Sequence, residues 1–304
     1  CLIWGVVGSG LAGTYMPGLQ VLNDRLNMTD RVKLTPWYTS SFGLSNGISF
    51  AVIGYLFANF SWKIACYTTS ISAALSAIII LFLITSHNQK KNITERKFFD
   101  LRPAFKNKEA LGYIFSYGTH TYELFAYRAW IFTFLLWASL RTPNTISSEL
   151  ISLIIGIFMF IGMVSSLMGA KFCLDYGRKK VLMIIGFATF VFSVICAISI
   201  SLPIWIIIIL VGIYHAFIML DSGALTAGTV SVSDDNERGA ILAFHSIIGF
   251  AGGAIAGPII GFILDINGGT NNTSAWIFAF ISMGLGSLFV FLIQYRSLVT
   301  RIKN

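Results

Sequence analysis

Residues 169–180 read GAKFCLDYGRKK, one acid and four bases set between two runs, 150–170 and 181–201, that carry no charge. A helix needs about 20 mainly apolar residues to cross roughly 30 Å of hydrocarbon, and each run has that length. Inside a bilayer only a helix satisfies its backbone groups within one segment. The stretch therefore reads as a basic turn that joins two membrane-crossing helices and stays at one surface.

The same alternation extends along the whole chain. Of its 304 residues 56% are apolar and 11% charged, against roughly a quarter charged in a soluble domain. Nine segments have spanning length: 1–21, 37–58, 62–85, 111–137, 150–170, 181–201, 204–229, 239–264 and 275–295. The expected fold class is an all-α, multi-pass membrane protein.

The net charge of +8 is no nucleic-acid footprint, because 18 of the 21 Lys and Arg fall in alternate loops, from Arg25, Arg31 and Lys33 to Arg296, Arg301 and Lys303. Lys63 and Arg141 lie on the other face, and Arg128 lies within a span. This bias puts the C-terminus in the cytoplasm, and a bacterial inner membrane is the expected location. Cys1, Cys66, Cys173 and Cys196 have no C-x-x-C spacing, so no disulfide framework, metal or cofactor is expected. The chain opens on Cys1 inside an apolar run and is read as lacking its start.

The longest polar stretch, SHNQKKNITERKFFDLRPAFKNKEA (86–110), follows three spans and precedes six. It separates 1–86, a three-helix remnant of an N-terminal bundle, from 111–304, a six-helix C-terminal bundle, with 87–110 as a cytoplasmic central loop. Its seven bases suit an amphipathic helix on the anionic inner leaflet or a solvated connector. DRVKLTPWYTSSFGLSNG (30–47) and ERGAILAFHSIIGFAGGA (237–254) form a weak repeat, each opening on acid–Arg and running into a Gly-bearing helix. Trp37 and Tyr38 align with Phe244 and His245, and Asn46 with Gly253. Parallel repeats of this kind occur in transporters built from two related halves.

GAKFCLDYGRKK also resembles the loop signature G-x-x-x-D-x-x-G-R-K/R of the major facilitator superfamily. Asp175, Gly177, Arg178 and Lys179 fill its acidic, turn and basic positions, with Gly177 suited to a reversal at positive φ. The signature's first Gly falls on Lys171, with Gly169 two residues away. The resemblance implies that the nine spans correspond to the fourth to twelfth helices of a twelve-helix transporter. Arg238–Gly239 then resembles the Arg-Gly at the start of the eleventh helix. Gly252, Gly253, Gly257, Pro258 and Gly261 read as small-residue packing along a helix that bends or slides. SSFGLSNGISFAVIG (40–54) lacks the Gly-Pro signature of drug/proton antiporters, which argues against efflux.

SYGTHTYELFAYRAW (116–130) is the most polar part of any span. At 3.6 residues per turn Ser116, His120, Glu123, Tyr127, Trp130 and Phe134 fall within about 40° of one line. Intramembrane ionisable groups cost ~2.5 kcal/mol or more on insertion scales and usually face a bundle interior or an aqueous cavity, so this stripe is expected to wall a pathway. Arg128 lies about 120° away and is free to snorkel, pair with another helix or bind an anion through its planar fork. YHAFIMLDSG (214–223) adds His215 and Asp221, with Tyr214 a heptad before Asp221, and the next span adds His245. Glu123 and Asp221 are candidate proton carriers; His120, His215 and His245 are candidate relay or substrate groups. The spans that match the sixth, ninth and twelfth helices lack interior ionisable residues and read as lipid-facing scaffold.

No H-E-x-x-H, G-x-S-x-G or P-loop is present, so an enzyme is not expected. The reading is a secondary active transporter, monomeric, moving a small solute by alternating access and symporting protons. HTYELFAYRAW is similar to a tract of bacterial superfamily members placed near nitrate, nitrite and cyanate porters, which leans toward a small or organic anion. The rival is a non-transporting membrane sensor or scaffold on the same fold; a membrane-embedded transferase using His120 or His215 with Asp221 is a third class.

Overall fold

The computed structural model describes residues 2–83, 100–142 and 145–303. Their regular structure is helical: α1 (Leu2–Asp24), α2 (Met28–Asn59), α3 (Trp62–Leu83), α4 (Arg102–Lys106), α5 (Lys108–Leu140), α6 (Ser148–Tyr176), α7 (Arg178–Ile198), α8 (Ile204–Leu220), α9 (Ser222–Ser231), α10 (Arg238–Ile266) and α11 (Thr273–Lys303). Each of the nine expected spans falls on one of these, the seventh being divided at Asp221 into α8 and α9. Seven spans among the described residues are long and apolar enough to cross a membrane, α8 and α9 counting as one. α1 and α5 have the length without the apolarity. In α5 the dilution comes from the polar stripe itself.

Capping explains boundaries that apolarity misplaced. The Asn27 side chain accepts from Asp30 N at 2.9 Å, so α2 starts at Met28 and carries Arg31 and Lys33, which apolarity alone places in a loop. Asn107 accepts from Ala110 N in the same way, so α5 begins inside the expected central loop, which also contains α4. The remainder of that loop, with the expected surface helix, lies outside the described residues. Gly177, at φ 92°, ends α6 and starts α7, the positive-φ reversal read from GAKFCLDYGRKK.

α5 packs on α10 and α11, α7 on α11, and α6 on α8, while α2 lies across α6 and α9. α3 rests mainly on α2. Two crossings depend on absent side chains. A Cβ on Gly47 would stand 2.9 Å from Gly156 O, and one on Gly156 would stand 3.0 Å from Gly47 O, so α2 and α6 meet backbone to backbone. A Cβ on Gly169 would collide with the Leu220 carbonyl. Gly169 therefore supplies a close approach in the turn motif although it is two residues from the family position.

The glycines foreseen on α10 face α5: Gly252 abuts Gly118 O, Gly253 the Phe125 ring, Gly257 the Ala129 Cβ and Gly261 the Trp130 ring. α10 runs unbroken through Pro258. Trp130 Nε1 donates to Gly257 O at 3.0 Å. The largest apolar cluster includes Phe134, Trp276 and Phe280, whose rings lie 4.8–5.1 Å from Phe134.

Candidate functional site

A small cavity of ≈ 30 Å³ opens between α1–α2 and the later helices. Tyr15 and Met16 of α1 and Thr39 and Phe42 of α2 form one side. Tyr117, His120, Thr121, Leu124, Phe125 and Arg128 of α5 form the other, with Met219, Ser222, Ser246, Gly249 and Phe250 completing the wall. A mainly apolar lining with few polar groups is the usual character of a ligand site.

Arg128 is the cation of this wall. Its guanidinium carbon lies 5.3 Å from the Phe42 ring centre and 5.9 Å from that of Phe125, positions that stabilise a cation by the ring quadrupole. Its Nε and Nη2 are buried without a hydrogen-bond partner among the described residues. Those two N–H groups form one edge of the guanidinium and match a bidentate carboxylate.

His120, also in the wall, is 2% exposed, and its Nδ1 stands 2.7 Å from Asp221 Oδ1. The break between α8 and α9 delivers Asp221 to this position: Tyr214, a heptad earlier, points instead to Glu123. His120 Nε2 is buried and unpartnered.

The rest of the stripe faces neighbouring helices and does not border this cavity. Tyr214 OH donates to Glu123 Oε1 at 2.6 Å, and Ser287 Oγ donates to Oε2. Gln294 Nε2 donates to Ser116 Oγ at 2.8 Å, and Tyr127 OH to Val211 O at 3.0 Å. Ser116–Gln294 and Glu123–Ser287 are successive rungs, one heptad apart, of an antiparallel α5–α11 ladder. Of the stripe only His120 borders the cavity; Glu123, Tyr127, Trp130 and Phe134 lie among neighbouring helices. The physical reason is competition for the hydroxyls and carbonyls of α8, α10 and α11, which sequence periodicity does not register. α11, read as lipid-facing scaffold, supplies Ser287 and Gln294, each at most 3% exposed. Their heptad spacing was the available signal.

His215 and His245 lie outside the cavity wall. His245 lies between Thr229 Oγ1 at 3.1 Å from Nδ1 and Thr226 Oγ1 at 3.4 Å from Nε2, stacked on Tyr117 at 3.9 Å. His215 stacks on Tyr127 at 5.0 Å, and neither ring nitrogen has a partner among the described residues.

Replacing Glu123 by Gln keeps an acceptor for Tyr214 and is expected to change stability little. Leu leaves the Tyr214 and Ser287 hydroxyls unpaired and is expected to cost about 2–6 kcal/mol, since each stranded buried group costs ~1–3. Thermal unfolding of the purified protein measures both. A Leu variant as stable as the Gln variant would remove the ladder from the stabilising contacts.

At the end of the bundle where α2, α5 and α10 begin, Met16 and Leu19 of α1 pack with Val230 and Leu242 beneath the cavity. Beyond them Arg31 Nη1 reaches Asp235 Oδ1 at 2.7 Å, and Arg238 Nη2 reaches the same oxygen. These arginines occupy equivalent places in the two repeats, and they converge on a carboxylate that neither repeat contains. Both are buried while Asp235 is exposed. Arg178 donates to Ser231 Oγ at 2.7 Å and Lys179 pairs with Glu109 at 2.8 Å, tying the turn motif to α9 and α5. Asp175 is exposed.

A helical membrane protein with a cavity between two sets of helices, sealed at one end by apolar and ionic layers, has the architecture of a solute transporter. Residues 121–301 match the family model of the Major Facilitator Superfamily, and the chain belongs to that superfamily. It is thus a multi-pass integral membrane transporter, of a family whose members carry small-molecule substrates and are not enzymes. No curated protein matches the chain.

Proposed function

We propose that this chain is the substrate-binding and gating part of a secondary active transporter for a small carboxylate or similar planar oxyanion. The observation that carries this is Arg128, whose two parallel donors have no partner among the described residues and which lies in the wall of the cavity. A buried donor without a partner costs about 1–3 kcal/mol, and an oxyanion would relieve that cost twice. The test is binding by the purified full-length protein: acetate and nitrate are expected to raise its thermal midpoint, and tetramethylammonium is not. Stabilisation by the cation alone would overturn the reading.

Proton coupling is assigned to the pair of His120, which borders the cavity, and Asp221, whereas both oxygens of Glu123 are held by Tyr214 and Ser287. Asp221→Asn is expected to abolish accumulation driven by a pH gradient and to spare substrate exchange. Unimpaired accumulation would exclude the pair.

With the basic end in the cytoplasm, the conformation is one closed on that side. Asp235→Asn is expected to raise several-fold the rate at which a cysteine at Ser222 is labelled from the cytoplasmic side. Arg238 first, then Arg31, hold the Asp235 carboxyl below its ordinary pKa. Its contribution is therefore complete above the ordinary carboxylate range and is lost as pH falls through the lowered value. With Asp235 intact, labelling corrected for the thiolate fraction of the cysteine should be flat from neutral to mildly acidic pH. Equal rates with Asp and Asn at 235 would show that the apolar layer closes the path alone.

A further inference from the structure

We infer that the ligand of this cavity is a planar oxyanion of about three or four heavy atoms, the size of formate or acetate, held by the Tyr15 and Tyr117 hydroxyls together with the Arg128 guanidinium. This rests on the anion reading above and adds to it two specificity-determining residues and an upper limit of size.

Tyr15, Tyr117 and Arg128 all line the cavity, and both phenol oxygens lie within electrostatic range of the guanidinium. Neither hydroxyl has a hydrogen-bond partner among the described residues. The surroundings of each ring explain this. Tyr15 stacks on Tyr38 at 5.7 Å and tilts against Phe42 at 5.4 Å, and the Tyr38 hydroxyl donates to the Tyr15 carbonyl rather than to its phenol. Tyr117 stacks on His245 at 3.9 Å with the bare Gly249 against its ring, and the His245 nitrogens face Thr226 and Thr229. Each ring is fixed by packing while its O–H, a donor that packing does not require, stays uncommitted. No Asp or Glu lines the cavity. Phe42 lies beside both Tyr15 and the Arg128 guanidinium, so the wall gathers donors around one cation.

Size narrows the ligand further. The cavity measures ≈ 30 Å³; a water needs about 10–15 Å³ and about 150 Å³ takes benzene, so the space holds roughly two or three water-sized groups. An oxyanion group by itself fills it, and every added methylene must push the wall aside. The in-plane lone pairs of such an anion outnumber the two N–H groups of the Nε–Nη2 edge. Those left over accept from the two phenols, one on α1 and one on α5. The anion then bridges the two sides of the cavity.

The experiment measures binding of formate, acetate, propionate, butyrate and benzoate, at constant ionic strength, to the purified full-length transporter and to its Tyr15→Phe, Tyr117→Phe and doubly substituted variants. Formate and acetate are expected to bind tightest, with at least a tenfold loss by butyrate. Each Tyr→Phe change removes one hydrogen bond to a charged acceptor and is expected to weaken formate binding about tenfold or more. The thermal midpoint of the ligand-free protein is expected to stay where it is, because the rings keep their packing. Should a variant not fold, the wild-type size series carries the test. Formate binding that is unaltered in the double variant but weakened by Arg128→Lys would overturn the role of the tyrosines and leave the anion reading standing. Butyrate or benzoate bound as tightly as formate would overturn the size limit. No binding by any of these anions would remove the anion reading itself.

Discussion

Arg128→Lys is expected to raise the apparent KM of transport roughly tenfold to a hundredfold, with a much smaller change in kcat. Lysine keeps the charge but is a point donor, whereas the free Nε–Nη2 edge presents two parallel bonds at a fixed spacing. Losing one charge-assisted bond costs about 1.5–3 kcal/mol, which converts to that range. Arg128→Ala loses both bonds and also the cation held between Phe42 and Phe125, so its loss should exceed a hundredfold. A KM effect at constant kcat would mean that the contact is equal in ground and transition states. If Arg128→Lys left KM unaltered and lowered only the thermal midpoint, the guanidinium would be a packing element and the anion site would lie elsewhere.

The largest expected loss of stability is at Gly169. A methyl group there meets the Leu220 carbonyl at less than van der Waals separation, and backbone cannot rotate away as a side chain can. Overpacking typically costs about 1–3 kcal/mol, and this site should lie at or beyond the upper end. α6 would have to move from α8 at the residue before Asp221, so Gly169→Ala should also weaken the His120–Asp221 contact. Gly112→Ala is the control: nothing lies within 4 Å of a Cβ there, and Ala in a helix interior is better than Gly by up to about 1 kcal/mol. Equal thermal midpoints for the two variants would show that the α6–α8 crossing is not tight.

Local chemistry was enough to read the spans, the basic turn at Gly177 and the glycine face of α10. Whether twenty residues can lie in hydrocarbon is a property of those residues alone, and a positive-φ turn needs no distant partner. The polar stripe of α5 was equally visible as a stripe, but its direction was not. A helix with polar groups on one line can turn that line to a cavity or to its neighbours, and the hydroxyls of Tyr214 and Ser287 decided the matter for Glu123. Arg128, the residue off the line, then became the cavity's cation.

The sequence by itself determined an all-helical membrane protein, its basic loops and the residues capable of chemistry. Only the tertiary structure decided which of them share a space: Asp221 beside His120, Ser287 beside Glu123, and Arg31 with Arg238 on Asp235, 204 positions from Arg31. Apolarity and turn preference are summed along the chain. Hydrogen bonds and ion pairs between helices depend on how those helices rotate and cross, and at Gly47, Gly156 and Gly169 that crossing was set by the absence of a side chain.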